Sequence, residues 1–180
     1  MRLNIPSFHW LLIVLSAFTI SACSGGEETV AEKPAPVHIE SGDECHVCGM
    51  IISGFPGPKG ESIAGDSQRV RKFCSTRELF AWKLQPENIH QNDTLYVHDM
   101  AQTDWDNPAD TALVDARDAF YVAGSDAKGA MGPTLASFAL EAEARTFANS
   151  HGGKVLRYGE ITLADVSGGM AMGGMGSMDH

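Results

Sequence analysis

The order strand, strand, helix, strand occurs twice along this chain, and that repetition limits the folds open to it. In the first half, strand-like runs at Glu61 to Gly65 and Gln68 to Phe73 lead into Ser75 to Leu84, where apolar residues recur at helical spacing. Ser75 with Glu78 three residues on is a capping-box pattern and marks where that helix starts. Thr94 to Met100 is the strand that follows. In the second half, Ala119 to Ala123 and Thr134 to Phe138 precede Glu141 to Ser150, a helix with Ala142, Phe147 and Ala148 facing inward. His151-Gly152-Gly153 stops it before a strand at Val155 to Tyr158. Ala112 to Val114 adds a short strand and Ile161 to Val166 closes the domain. The expected fold is α+β: two ββαβ-type units forming one small domain over residues 41–167. The repeat is one of pattern, and only the first half carries cysteines apart from Cys23.

Ahead of the first unit stands Cys45-His46-Val47-Cys48-Gly49-Met50, two thiols, an imidazole and a thioether in succession. Two residues between Cys45 and Cys48 let a tight turn aim both sulfurs at one ion, and Gly49 frees the backbone for that turn. Two thiolates suit Zn(II), an iron–sulfur cluster or Cu(I), whereas a thioether is a poor zinc ligand and a good one for Cu(I). Met50 turned inward therefore favours copper; the alternative is that it opens a strand with Ile51 and Ile52 and fills core. His46 is the best-placed imidazole, although a side chain inside a tight turn often points away from the ion. Cys74 falls at a helix start, where the positive end of the dipole favours thiolate, or else is a small buried apolar residue beside Phe73. The segment Gly129-Ala130-Met131-Gly132-Pro133 reads as a glycine-flanked turn that exposes one methionine.

Residues 1–22, with one basic residue at Arg2, an apolar run from Trp10 to Ile20 and then Ile20-Ser21-Ala22-Cys23, read as a secretory signal ending in a lipoprotein cleavage box. The run is too short to span a bilayer as a helix, and Cys23 is expected to become the lipidated first residue. In an exported chain paired thiols oxidise. Three cysteines remain beyond Cys23, so at least one thiol stays free, reacts with a partner or is held by metal. Residues 23–40, rich in Ser, Gly, Glu, Ala and Pro, are expected to be a flexible tether. The net charge of −10, with no Lys/Arg cluster, argues against nucleic acid as partner. Residues 168–180 hold Met170, Met172, Met175 and Met178, half of the eight methionines, among glycines and end in His180. Such a tail is expected to be disordered by itself and either to trap Cu(I) weakly through its thioethers and imidazole or to be an incidental low-complexity end.

The combination Cys-His-Val-Cys-Gly-Met, Lys72-Phe73-Cys74-Ser75, Gly129-Ala130-Met131-Gly132-Pro133 and His151-Gly152-Gly153-Lys154-Val155-Leu156, in order behind a lipobox, resembles the NosL family over residues 40–166. The resemblance implies two ββαβ units and a periplasm-facing Cu(I) chaperone. It also implies delivery of copper to the NosDFY complex that matures nitrous oxide reductase, and through it to the copper centres of that enzyme. By position it implies Cys45, Cys48, Met50 and Met131 as ligands, with Cys74 at a place where the family is less uniform. Ser24 after the anchor suggests the outer membrane.

Two rival readings accompany the metal carrier, which changes no covalent bond in any substrate. A thiol oxidoreductase would use Cys45 and Cys48, but such a pair normally follows a strand and opens a helix, and here strand-formers and a Gly/Pro loop come after it. A structural zinc module would close a tetrahedron with Cys45, Cys48, Cys74 and a histidine, leaving Met131 and the tail methionines idle.

Overall fold

The computed structural model describes residues 33–167. The signal segment, the start of the tether and the Met-rich tail, and with them Cys23, Met170, Met172, Met175, Met178 and His180, lie outside the described residues.

The first unit is β1 (Gly60–Ala64), β2 (Val70–Phe73), α1 (Thr76–Lys83) and β3 (Asp93–His98), extended by β4 (Leu113–Asp115). These strands form one antiparallel sheet in the order β2-β1-β3-β4, with Gly60 opposite both Phe73 and Val97. The second unit is β5 (Phe120–Ala123), β8 (Ala136–Phe138), α2 (Glu141–His151) and β9 (Lys154–Arg157), its sheet ordered β8-β5-β9. Between β5 and β8 stands a small hairpin, β6 (Lys128–Gly129) and β7 (Gly132–Pro133), and a single helical turn, α3 (Leu163–Val166), is the last element of the described residues. Each unit therefore sets its first strand between the strand before the helix and the strand after it, and in the first unit β4 adds a further strand beyond β3. The doubled ββαβ order is present as an α+β domain.

The start of α1 follows from its sequence. Ser75 is extended at φ −154° and accepts a hydrogen bond from the Glu78 N–H, satisfying one of the free donors of the first turn. The helix then lies close over β1: a Cβ on Gly60 would stand 2.8 Å from Leu79 Cβ and Cδ2, so only glycine admits this approach. Helix α2 departs in one detail from the spacing argument. Ala142 is exposed, and Ala144 is the fully buried residue, with Phe147 and Ala148 half-buried beside it. The inward line is thus 144, 147, 148, one helical stripe set by the position of β5 and β8 beneath it. Ala112, expected in a strand, belongs instead to a 3-10 turn (Asp110–Ala112) whose last amide bonds back to Ala109, and β4 begins one residue later.

The two sheets share an apolar core in which Phe80 meets Tyr121 edge-on at 5.0 Å between ring centroids, and Phe73, Leu79, Leu95, Val97 and Leu135 are fully buried. Their edges are also stitched by polar bonds: Met100 N–H to the Ser137 carbonyl at 2.9 Å and Ser137 Oγ–H to the His98 carbonyl at 2.6 Å. Residues 33–40, read from sequence as part of the tether, run along the first sheet and are held there. Tyr96 donates to the Pro34 carbonyl, Val37 N–H reaches both carboxylate oxygens of Glu61, and Ile39 N–H reaches Asp110 Oδ2. Backbone amides make most of these contacts, so nothing in the side-chain pattern of 33–40 announces them. Among the described residues no helix is long and apolar enough to cross a membrane.

Glu61 is completely buried in the central strand, and burial pushes its carboxyl up to about 7 despite the Val37 amide. An unfolded glutamate titrates near about 4.3, so between that pH and about 7 the folded chain holds a proton that the unfolded chain gives up. Stability is therefore full below the lower value and falls as pH rises through the upper one. Glu61→Gln retains an acceptor for Val37 and removes the titration. At pH 8 it is expected to be more stable than the parent by roughly 1–3 kcal/mol in denaturant melts, and to lose this part of the pH slope. Lower stability of E61Q at that pH would contradict the assignment.

Candidate metal centre

Residues 43–52 form a narrow hairpin-like bend. Glu44 bridges Ile51 antiparallel, Cys45 N–H bonds to the Met50 carbonyl at 2.8 Å, Ile52 N–H to Asp43 at 2.9 Å, and Gly49 N–H to Cys45 at 2.8 Å. Gly49 stands at φ +69°, a conformation other residues adopt at a cost, which explains a glycine directly after Cys48. The bend is moored to the free edge of β2 by the His46 N–H, which bonds to the Lys72 carbonyl at 2.8 Å, and by the Lys72 ammonium on Asp43 Oδ2 at 2.5 Å. Two residues beyond Lys72, at the passage from β2 to α1, the chain presents Cys74.

The consequence is a cluster. The sulfurs of Cys45, Cys48 and Cys74 all lie within 4.8 Å of one another, Cys48 and Cys74 at 3.7 Å, and all three are free thiols. A metal bonded at roughly 2.3 Å to three sulfurs in one plane sets them about 4 Å apart, so the triangle has the size of a coordination shell. A disulfide brings sulfurs to about 2 Å, well inside this spacing. Cys45 and Cys74 are buried and Cys48 is half-buried, so the cluster faces solvent through Cys48.

The polar surroundings favour negative charge on sulfur. Cys45 is pulled down to about 4, first because the Cys74 thiol donates to it and then because the backbone N–H groups of Cys74, Cys48 and Val47 point at the same sulfur, against the opposing effect of burial. Cys74 moves the other way: it gives its hydrogen to Cys45, lies in an apolar setting and faces the charge that Cys45 carries. The cluster thus favours a Cys45 thiolate cradled by amides and accepting the hydrogen of Cys74. Behind it, Lys59 is buried, its ammonium held by the carbonyls of Phe55, Pro56 and Gly57 at 2.5, 3.0 and 3.0 Å. Burial drives this amine down to about 8 while the sulfur of Cys74 draws it back toward the charged form.

The other sequence candidates fall into three groups. Met50 is half-buried at the closing pair of the bend and takes no place in either apolar cluster; Ile52, fully buried, fills the core there instead. Met131 stands at the tip of the β6–β7 hairpin, 46% exposed, and its carbonyl accepts from Arg77 Nη1 on the first turn of α1, beside Cys74. His46 does not join the sulfurs. Its ring is exposed and meets Phe73 and Trp82 edge-on at 5.9 and 6.0 Å, a position fixed because its backbone is committed to Lys72. Among the described residues no histidine or carboxylate completes a group of four with the cysteines. The amide donors of Val47, Cys48 and Cys74 and the buried Lys59 had no sequence signal, since backbone direction and a distant loop create them.

A family model for NosL matches residues 36–166, nearly all of the described chain. The chain belongs to the NosL family. It is similar to the copper-binding lipoprotein NosL of Stutzerimonas stutzeri, 49% identical over 170 residues that cover 94% of this chain and 88% of the relative. The corresponding protein of Achromobacter cycloclastes is 35% identical over 159 residues, 87% of this chain and 82% of the relative. Among solved structures, the copper chaperone NosL from Shewanella denitrificans superposes with a TM-score of 0.70 at 47% identity, covering 72% of this chain and 97% of that one. These NosL relatives are named for binding or carrying copper, and in this chain the cysteine triangle is the group suited to a soft metal ion.

The electrostatics make a spectroscopic prediction. The reduced, metal-free domain is expected to show one thiolate per chain by ultraviolet absorption between about pH 5 and pH 7, and Cys45→Ser to abolish it. Absorption that rises only above about pH 8 would mean three ordinary thiols and would contradict the amide cradle.

Proposed function

We propose that this chain is a lipid-anchored, periplasm-facing Cu(I) chaperone that supplies copper to the maturation machinery of nitrous oxide reductase, through the NosDFY complex. The observation that carries the reading is the triangle of three sulfurs, two buried and one half-exposed. Cu(I) is satisfied by two or three soft donors, whereas a structural zinc site asks for four. An incomplete shell that opens through Cys48 holds the ion against loss and still lets an incoming ligand attack from outside, which is how metal passes between proteins without becoming free. Met50 and Met131 are the thioethers proposed to take part in that exchange.

The oxidoreductase alternative has the wrong local architecture. Cys45 and Cys48 are followed by Gly49, the Ile51 bridge and a Gly/Pro loop, and it is Cys74 that precedes a helix. The anchor at Cys23 and the outer-membrane location are part of the proposal, supported by the lipobox and by relatives named lipoproteins. The acidic balance of the chain supports a protein partner and the ion itself over nucleic acid.

Replacing Cys45 and Cys48 by Ser is expected to abolish stoichiometric Cu(I) binding in competition with a chromophoric chelator, while far-ultraviolet circular dichroism stays unchanged. Unaltered affinity would refute the site. Preference for Zn(II) over Cu(I) in the parent would refute the chaperone reading in favour of a structural role. Met131→Ala is expected to slow transfer of copper to an acceptor by on the order of tenfold with little change in melting temperature, because a side chain 46% exposed contributes little to the core.

A further inference from the structure

A buried cation stands against the cysteine cluster. Gly60 pairs with Phe73 across β1 and β2, and the Thr76 N–H carries the pairing on to the Pro58 carbonyl at 3.0 Å, so the register sets Lys59 across from Cys74. Lys59 is 4% exposed, and its Nζ donates to the carbonyls of Phe55, Pro56 and Gly57. Three acceptors around one nitrogen match the three hydrogens of an ammonium; a neutral amine has two and would turn its lone pair on a carbonyl oxygen. Those carbonyls carry no net charge, and no described carboxylate forms an ion pair with the group. A charge buried in this way is costly unless an opposite charge answers it. Here the answer comes from sulfur, since Cys74 draws the amine toward its charged form.

We propose that Lys59 is a specificity-determining residue, whose fixed positive charge makes the triangle of Cys45, Cys48 and Cys74 select a monovalent soft ion over a divalent one. The inference rests on the copper reading above and deepens it. Thiolates accept both Cu(I) and Zn(II), so the donor set by itself leaves the choice open. The charge of the filled site does not. Three thiolates around a monovalent ion leave two negative charges, and the same three around a divalent ion leave one. The ammonium therefore favours the monovalent complex by the worth of one unit charge, roughly ten- to a hundredfold in relative affinity at the effective dielectric of a protein interior. The acidity of the whole chain, −10, works in the opposite sense, but salt screens surface charge far more than a buried one. Glu78, whose carboxyl is pushed up by burial and then by Cys45, also opposes Lys59, and it is common to the parent and every Lys59 variant. Lys59 thus acts on the ion through charge, without ligating it.

The test measures Cu(I) and Zn(II) affinities of the reduced full chain by anaerobic competition with chromophoric chelators, at about pH 7, below the value of about 8 at which Lys59 loses its proton. Lys59→Met is expected to narrow the preference for Cu(I) over Zn(II) by on the order of tenfold or more, and Lys59→Arg, which keeps the charge, to hold the parent ratio. A ratio of two affinities cancels any loss of folded protein common to both titrations. Where Lys59→Met does not fold, Lys59→Gln, which still donates to two carbonyls, carries the same expectation. An equal fall in both affinities, or a Lys59→Arg ratio that follows Lys59→Met, would assign Lys59 to the shape of the 55–57 loop and overturn the inference while leaving the chaperone reading standing. A parent that prefers Zn(II) would overturn both.

Discussion

The hydrogen bond from the His46 amide to the Lys72 carbonyl decides whether there is a site at all. Strand β2 is an edge, and an unpaired edge is a place where another segment can dock. The cysteine bend uses it, and the Lys72 ammonium on Asp43 secures the same contact from the side-chain direction. The bond holds two cysteines of one local segment beside a third that lies 26 residues beyond Cys48 at the far end of the strand. A bend detached from β2 would still pair Cys45 with Cys48, but it would lose the third donor and the amide of Cys74 that stabilises the Cys45 thiolate.

That dependence couples charge to fold. Three sulfurs crowded inside 4.8 Å repel one another once more than one is ionised, so negative charge gathers on Cys45 while Cys74 keeps its proton. A soft cation bound among them would relieve this crowding and displace protons, with the amide cradle and the buried Lys59 beside it. Metal binding at such a cluster would be linked to proton release, and among the described residues no histidine or carboxylate makes a fourth donor. Burial of Cys45 and Cys74 against the shared core makes the back of the site rigid. The half-exposed Cys48 leaves its front open to solvent.

The fold positions these parts through its doubled topology. Helix α1 can approach β1 closely only because residue 60 is glycine, and this approach sets the direction in which Cys74 leaves β2. The second unit repeats the strand order without cysteines and contributes the β6–β7 hairpin, whose tip Arg77 draws to the first turn of α1. One half thus carries the cysteine cluster, and the other contributes a hairpin bonded to the helix that follows Cys74.

Much of this was readable in the residues. Periodicity located every main strand and both long helices, Ser75 and Glu78 located the start of α1, and Gly49 and the Gly129–Pro133 segment located the two turns that matter, because each of these is set by interactions within a few positions. Local spacing also paired Cys45 with Cys48. It gave no means to choose between ligand and core for Cys74 or Met50, placed Ala142 inward where Ala144 lies, and counted residues 33–40 as tether although distant carboxylates hold them. Those outcomes depend on which edge of a sheet stays free, which face of a helix meets another layer and which backbone amides aim at a buried sulfur. Short-range preference names the donors; only long-range packing and hydrogen bonding bring three of them to one point and turn His46 away from it.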